Sequence, residues 1–453
     1  MRTVSEDGCD DGAVRPTRRR VSVWFWTACG RHAATMRLMD NDDNAICVGG
    51  CISPRVDEAT RAFIAAHQDE DVRDVALHAK RDDGVDVPFA LDQIAGRRTA
   101  RSKLPRWAAT DGIIYPPHVP MEQCSSQPAA EYKARLAAEL IAGQPHPTTL
   151  VDLTGGFGVD FSFMARVFDE AVYVERQPRL CVLAMHNLRE LGVGNARVVC
   201  ADGVATLATM PPATLIYVDP ARRDAHGART VAISDCTPDV LASRDALLAK
   251  APFVVVKLSP MLDWRQTIDD FGGAVRRLDI VAVHNECKEI LVVLGRGRTE
   301  RPLIRCVDDG ACVEFLAGDD ERPTIAPSST LSDMRFLYEP NAAIMKGGAF
   351  ATLQRRWPAT QIGVNSHLFV ADQWFDDFPG RAFVIDGIGT MNKKDVRRLL
   401  EGERKANVAV RNFPLTAAQL AKKLKLADGG DVYVFATTDA DGRHILIRAH
   451  KRD

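Results

Sequence analysis

Asp152-Leu153-Thr154-Gly155-Gly156-Phe157-Gly158-Val159-Asp160 follows an apolar run at 148–153 and opens a helical pattern. That is the setting in which a glycine turn holds a nucleotide. Glycines let the backbone approach a ligand, and the helix start behind them offers free N–H groups to electron-rich atoms. Three more acidic positions close later strands: Glu175 after Tyr173-Val174, Asp202 with Gly203 after Cys200-Ala201, and Asp219 in Tyr217-Val218-Asp219-Pro220-Ala221-Arg222-Arg223-Asp224. The turn alone is a weak signal. The joint spacing is that of a site for S-adenosylmethionine (SAM), with Asp152, Thr154, Gly155, Gly156, Gly158, Glu175, Asp202 and Gly203 as the expected cofactor residues.

Each residue has a task in that reading. Glu175, 23 positions after Asp152, can accept both ribose hydroxyls. Asp202 can accept from the adenine amino group, and Asp152 would face the cationic methionine end. A nicotinamide enzyme also uses an acid at the second strand, but its pyrophosphate calls for Gly-x-Gly-x-x-Gly, where this chain has Thr154-Gly155-Gly156-Phe157-Gly158. SAM has no pyrophosphate to seat. Taken singly, each carboxylate could instead be a surface group capping a helix.

Asp219, Pro220 and Arg222 are the expected catalytic residues, because the fourth strand ends at the mouth where open α/β sheets bind ligands. Enzymes that methylate exocyclic amines carry Asn or Asp, Pro, Pro and an aromatic there. Ala221 and Arg222 stand in the last two places, so amine methylation is not signalled. Arg222 and Arg223 could hold a phosphate or a guanine edge, or pair with Asp219, Asp224 or Asp235. Cys287 and Cys236 could attack pyrimidine C5, but neither neighbours a histidine, and small buried cysteines are common. Met121-Glu122-Gln123-Cys124-Ser125-Ser126 offers either a lid over the site or a helix cap.

The elements that position these residues follow from periodicity. Strands are expected at 148–153, 171–174, 196–199, 214–219, 253–257 and 278–283, with helices such as 178–191 and 238–250 between them, which is a doubly wound parallel sheet. A last apolar run at 290–294 follows after only six residues, too few for a parallel crossover, so the seventh strand is expected to be antiparallel. Expected domains are a disordered extension at 1–45, a helical domain at 46–128, the sheet domain at 129–310, and two small α+β modules at 311–378 and 379–453.

The chain has 453 residues, a net charge of −2 and 11 cysteines. Near-neutral charge gives no overall pull toward polyanions, so nucleic acid would need local basic patches. Two stretches qualify: Arg97-Arg98 with Arg101, Lys103 and Arg106, and the series Lys393-Lys394, Arg397-Arg398, Arg404-Lys405, Lys422-Lys423 and Lys425. Either could be a solvated face. No cysteine pair stands at zinc spacing and no apolar run reaches a membrane span, so neither metal nor membrane is expected, and the cytoplasm is the default location.

Met121 to Ser126, Asp152 to Asp160, Asp219 to Asp224 and Asn285-Glu286-Cys287-Lys288-Glu289 together resemble the bacterial class I SAM-dependent methyltransferases with a C-terminal THUMP-like domain. Glu339-Pro340-Asn341, Asn365-Ser366-His367-Leu368 and Asp428-Gly429-Gly430-Asp431 extend the resemblance almost to the end. It implies a Rossmann-like class I methyltransferase fold, a ferredoxin-like insert near 336–378, a THUMP-like module from about 379, and an RNA substrate, a base of rRNA or tRNA. The alternatives are methylation of DNA, protein or a small molecule, or an inactive SAM-type domain serving as an RNA platform.

Overall fold

The computed structural model describes residues 24–25, 47–48, 51–52, 56–79, 84–222, 232–319 and 322–452. Runs such as Phe253-Val254-Val255-Val256 show no polar alternation, the mark of strands covered on both faces. They form β1 (Thr149–Asp152), β2 (Glu170–Glu175), β3 (Ala196–Cys200), β4 (Leu215–Val218) and β5 (Phe253–Leu258). Two longer strands complete the set, β6 (Val275–Val283) and β7 (Glu286–Gly295). Their order is β3-β2-β1-β4-β5-β7-β6, with β7 antiparallel to both neighbours. This is the class I methyltransferase arrangement expected from the sequence.

The link between β6 and β7 is tighter than expected. Only His284 and Asn285 turn the chain, both at positive φ of 53° and 60°. Two such residues match the twist of a hairpin. The polar residues Glu286 to Glu289 therefore continue the ladder.

The sheet also extends beyond seven strands. Trp24–Phe25 pairs with β3, while β8 (Leu303–Asp308) runs parallel to β6 and β9 (Ala311–Leu316) closes the far edge. The expected domain end at 310 thus falls inside a hairpin whose Ile304, Cys306, Val313 and Phe315 share the sheet's core. Apart from Trp24–Phe25, the extension expected to be disordered lies outside the described residues.

Helices Glu58–His67, Val72–His78 and Val87–Lys103 occupy the expected helical region. The segment after them does not form a separate core. Leu104, Trp107, Tyr115 and Met121 pack with Leu150, Phe161 and Tyr173 against one face of the sheet.

Beyond Arg335 a second sheet is built from β10 (Phe336–Pro340), β11 (Phe369–Ala371), β12 (Gly380–Thr390), β13 (Asn407–Val410), β14 (Val432–Thr438) and β15 (His444–His450). Its order is β11-β10-β12-β15-β14-β13, with Thr360–Gln361 outside β11. The two expected C-terminal modules therefore share one sheet, joined where β10 pairs with β12. Glu339 sits at that junction, buried, between Arg381 and Arg411, whose guanidinium lies 2.6 Å from it. Helices Lys393–Leu399 and Ala417–Leu424 cover one sheet face through Leu399, Leu420, Val434 and Leu446.

Glu339→Ala removes the carboxylate on which both arginines converge. Because the arginines keep partial access to water, a loss of about 1–3 kcal/mol is expected, read as a lower urea midpoint. An unchanged midpoint would show that the two modules do not depend on this junction.

Candidate active site

A cavity of about 760 Å³ opens at the carboxyl edge of β1, β2, β4 and β5, lined among others by Asp152, Thr154, Glu175, Asp202, Asp219 and Lys257. The glycine turn forms its floor. Gly155 leaves no room for a side chain, since a Cβ there would stand 2.2 Å from the Tyr173 ring, and Gly158 caps the next helix, Val159–Met164, at φ 86°. A left-handed residue at that point favours glycine.

Glu175 closes one end of the cavity. Its two oxygens accept from Gly156 N at 3.0 Å and Gln177 N at 2.8 Å. Each carboxylate oxygen keeps a further lone pair for a ligand. Asp202 is exposed and caps helix Gly203–Thr209 by accepting from Ala205 N at 3.0 Å. The capping alternative thus holds for Asp202 while its carboxylate still lines the cavity.

Thr154 ties the ends of β1 and β4 together. Its N–H donates to Asp152 Oδ1 at 2.8 Å, and its hydroxyl accepts from Asp219 N at 2.7 Å. Asp152 is buried, and burial pushes its carboxyl up to about 8; the Thr154 N–H opposes this, while the nearby Asp160 and Asp219 carboxylates add to it. Asp152 is therefore a largely neutral acid at pH 7.

Sequence reasoning missed the charged groups beneath. Lys133, on helix Gln127–Ile141, is fully buried and donates to Ser125 Oγ at 3.1 Å and to Glu289, with Asp160 Oδ1 at 3.2 Å. Asp160 Oδ2 accepts from the Tyr217 hydroxyl at 2.8 Å and from the Ser125 hydroxyl at 3.0 Å. Burial acts to raise Asp160, but Lys133 and Lys257 outweigh it and hold the carboxyl below its usual range. Glu289 is pushed up by burial in spite of the same two lysines. Lys257, at the end of β5, lies beside Asp219 because Val256 pairs with Val218, and its ammonium donates to Asp219 Oδ2 at 2.6 Å. One signal was available. Lys133 lies four residues after Ala129 and three before Leu136, on the apolar face of its helix.

The other expected residues divide. Pro220 lines the cavity, and Ala221–Arg222 pairs with Cys236–Thr237; the Arg222 side chain, Arg223 and Asp224 lie outside the described residues. Cys236 lines the cavity, whereas the Cys287 thiol donates to Ala342 O at 3.2 Å, toward the second sheet. Ser126 stands at the helix N-cap without a capping bond, and Gln123, Cys124 and Ser125 line the cavity. The Ser126 side chain therefore does not make the helix cap that was the alternative for this segment. The basic stretch at 97–106 is largely engaged in structure: Arg98 pairs with Asp71 at 2.8 Å, Arg101 with Asp69 at 2.5 Å, and Lys103 donates to two main-chain carbonyls. Lys393, Lys394, Arg397, Lys422 and Lys423 are exposed. Among the described residues no helix is long and apolar enough to cross a membrane, and no group of three or more His, Cys, Asp or Glu is placed to hold a metal ion.

Three family models match the chain: protein-L-isoaspartate(D-aspartate) O-methyltransferase at 114–226, a ferredoxin-like domain at 336–379 and a THUMP domain-like model at 380–451. Among solved structures, a candidate methyltransferase from Porphyromonas gingivalis W83 is 29% identical, with a TM-score of 0.74 over 87% of this chain and 98% of that one. An rRNA methylase from Streptococcus thermophilus also matches, at 14% identity and TM-score 0.29 over 36% and 94% of the two chains. So does a candidate methyltransferase from Streptococcus mutans in complex with SAH, at 11% identity and TM-score 0.28 over 36% and 96%. No curated protein sequence matches the chain.

Asp152 supplies a pH test with a definite sign. Its carboxyl is raised from 3.8 to about 8 on folding. The native state therefore holds a proton that the unfolded chain releases, and wild-type stability declines as pH rises between those values, by at most about 1.4 kcal/mol per unit. Asp152→Asn removes that decline. The variant should match the wild type near pH 4 and exceed it increasingly up to pH 8 in urea titrations; a constant difference would place the proton elsewhere.

Proposed function

We propose that this chain, which carries a class I methyltransferase fold followed by ferredoxin-like and THUMP-like modules, transfers a methyl group from SAM to a base of structured RNA. The observation that carries the cofactor reading is Glu175, buried beside the glycine turn with both oxygens oriented by main-chain N–H groups. So held, it suits a ribose diol. Asp202 and Gly203 would flank the adenine, with Thr154, Gly155, Gly156 and Gly158 forming the floor. Asp160 and Asp219 give the opposite end an anionic character that suits an ammonium and a sulfonium, and the largely neutral Asp152 carboxyl lines the same end.

When bound, SAM supplies an activated methyl group that needs little further activation. The protein's share is to align the acceptor and take a proton if one leaves. Asp219, Pro220 and Arg222 are the proposed acceptor residues, since the fourth strand ends over the same cavity. Support for RNA comes from the THUMP-like match and from the exposed lysines and arginines of helices Lys393–Leu399 and Ala417–Leu424. A protein acceptor is the second reading, favoured by the isoaspartate methyltransferase model matching 114–226. A cytoplasmic enzyme is the corresponding location.

Calorimetry tests the cofactor. Glu175→Ala should weaken SAM by about tenfold or more, the worth of a charged hydrogen bond. Uptake of NADH without SAM or S-adenosylhomocysteine would overturn the reading.

RNA binding should weaken steeply with salt, and reversing Lys393 and Lys394 to Glu should flatten that slope by about two phosphate contacts. Affinity that is equal at low and high salt would remove RNA from the proposal.

A further inference from the structure

Asp219 does not stand alone at the acceptor end. Lys257 lines the same cavity, and its ammonium meets only one of the two Asp219 oxygens, Oδ2. Asp219 Oδ1 accepts no hydrogen bond among the described residues, so it remains for a ligand. Around the ammonium stand Asp219 from β4, Asp160 from helix Val159–Met164 and Glu289 from β7. Lys133 lies behind the last two, and Asp152 and Lys288 line the same cavity. Burial opposes the charge on Lys257, but those three carboxylates outweigh it and keep the group protonated. An ammonium has three donors, so a second ligand contact remains available.

A neutral exocyclic amine presents hydrogens that a carboxylate and main-chain carbonyls can accept, and it gains nothing from a cation beside them. A lactam does. Its N–H adjoins a C=O, and loss of the proton moves negative charge onto the oxygen. A carboxylate next to an ammonium matches both atoms, one accepting the N–H and the other donating to the oxygen.

We propose that Asp219 and Lys257 together select and ionise a lactam edge, the adjoining N–H and C=O of a guanine or uracil in RNA. The assignment rests on the RNA methyltransferase reading. The ring N–H proton passes to Asp219 Oδ1, and the electron pair it leaves is shared between nitrogen and carbonyl oxygen, where Lys257 stabilises it. That pair forms the N–CH₃ bond as the methyl's bond to the donor sulfonium breaks. The bonding electrons depart with sulfur as a neutral thioether, and Asp219 later yields its proton to water. Nothing is oxidised or reduced.

The first test uses the full-length protein, tritiated-methyl SAM and total RNA from a strain lacking the gene, with nucleosides then resolved by mass spectrometry. Label on a ring nitrogen of guanosine or uridine is expected. Label on an exocyclic amine, a carbon or a ribose overturns the lactam assignment and leaves RNA methylation standing. No label in RNA overturns both.

The second test reads rate against pH in single turnovers on the labelled RNA. Lys257→Gln should lose about 10²- to 10³-fold near neutrality, the worth of one oxyanion donor. It should recover part of that loss as rising pH ionises the lactam unaided. Lys257→Arg, which keeps the charge, should lose less, and both should bind SAM within a few-fold of wild type by calorimetry. An unchanged rate in Lys257→Gln, a Lys257→Arg loss as large as that of Lys257→Gln, or a loss that does not vary with pH, overturns the role of Lys257.

Discussion

A single buried lysine holds the machinery of the cavity in register. Lys133 reaches from the helix that enters the sheet to Asp160 on the helix after the glycine turn and to Glu289 on β7. None of these groups could remain charged there alone, because an unpaired ion in a dry interior costs several kcal/mol. Each therefore fixes the others. Asp160 is further held by Tyr217 from β4 and by Ser125 from the segment before the helix, so with Lys133 three separate stretches of chain converge on one carboxylate. The glycine turn, the fourth strand and the antiparallel strand owe their mutual placement to this cluster as well as to the ladder of the sheet.

The sheet was legible because its signals are local. A glycine turn after an apolar run, strand lengths, and a gap too short for a crossover are all read within a few residues. The cluster was not legible for the opposite reason. Lys133 and Glu289 are separated by 156 positions, and each looks alone like an ordinary charged residue. Lys257 ends a valine run and reads as the point where a strand leaves the core. Only the register of β5 against β4 brings it to Asp219. The pairing of Arg98 and Arg101 was hidden for the same reason, since their partners Asp71 and Asp69 lie at the N-cap of a preceding helix and in its approach.

Charge is handled differently in the C-terminal modules. Arg381 and Arg411 converge on Glu339 at the seam between the two modules, while the lysines of the covering helices point to solvent. The interior charges serve the fold, and the exterior ones lie on the surface. Net charge could not reveal this division, because acidic residues elsewhere cancel the lysines in the sum.

The hairpin turn of β6 and β7 carries one further implication. Asn285 accepts from Ala342 N at 2.8 Å, at the start of helix Ala342–Gly347, and Cys287 donates to the Ala342 carbonyl. Beneath that contact a continuous core runs from Val151 through Ile280 and Cys306 to Ile344, Trp357 and Phe369. The first sheet and the module after it are thus halves of one hydrophobic body. A different C-terminal module grafted onto this sheet would need the matching apolar face as well, because without it half of this core would open to water.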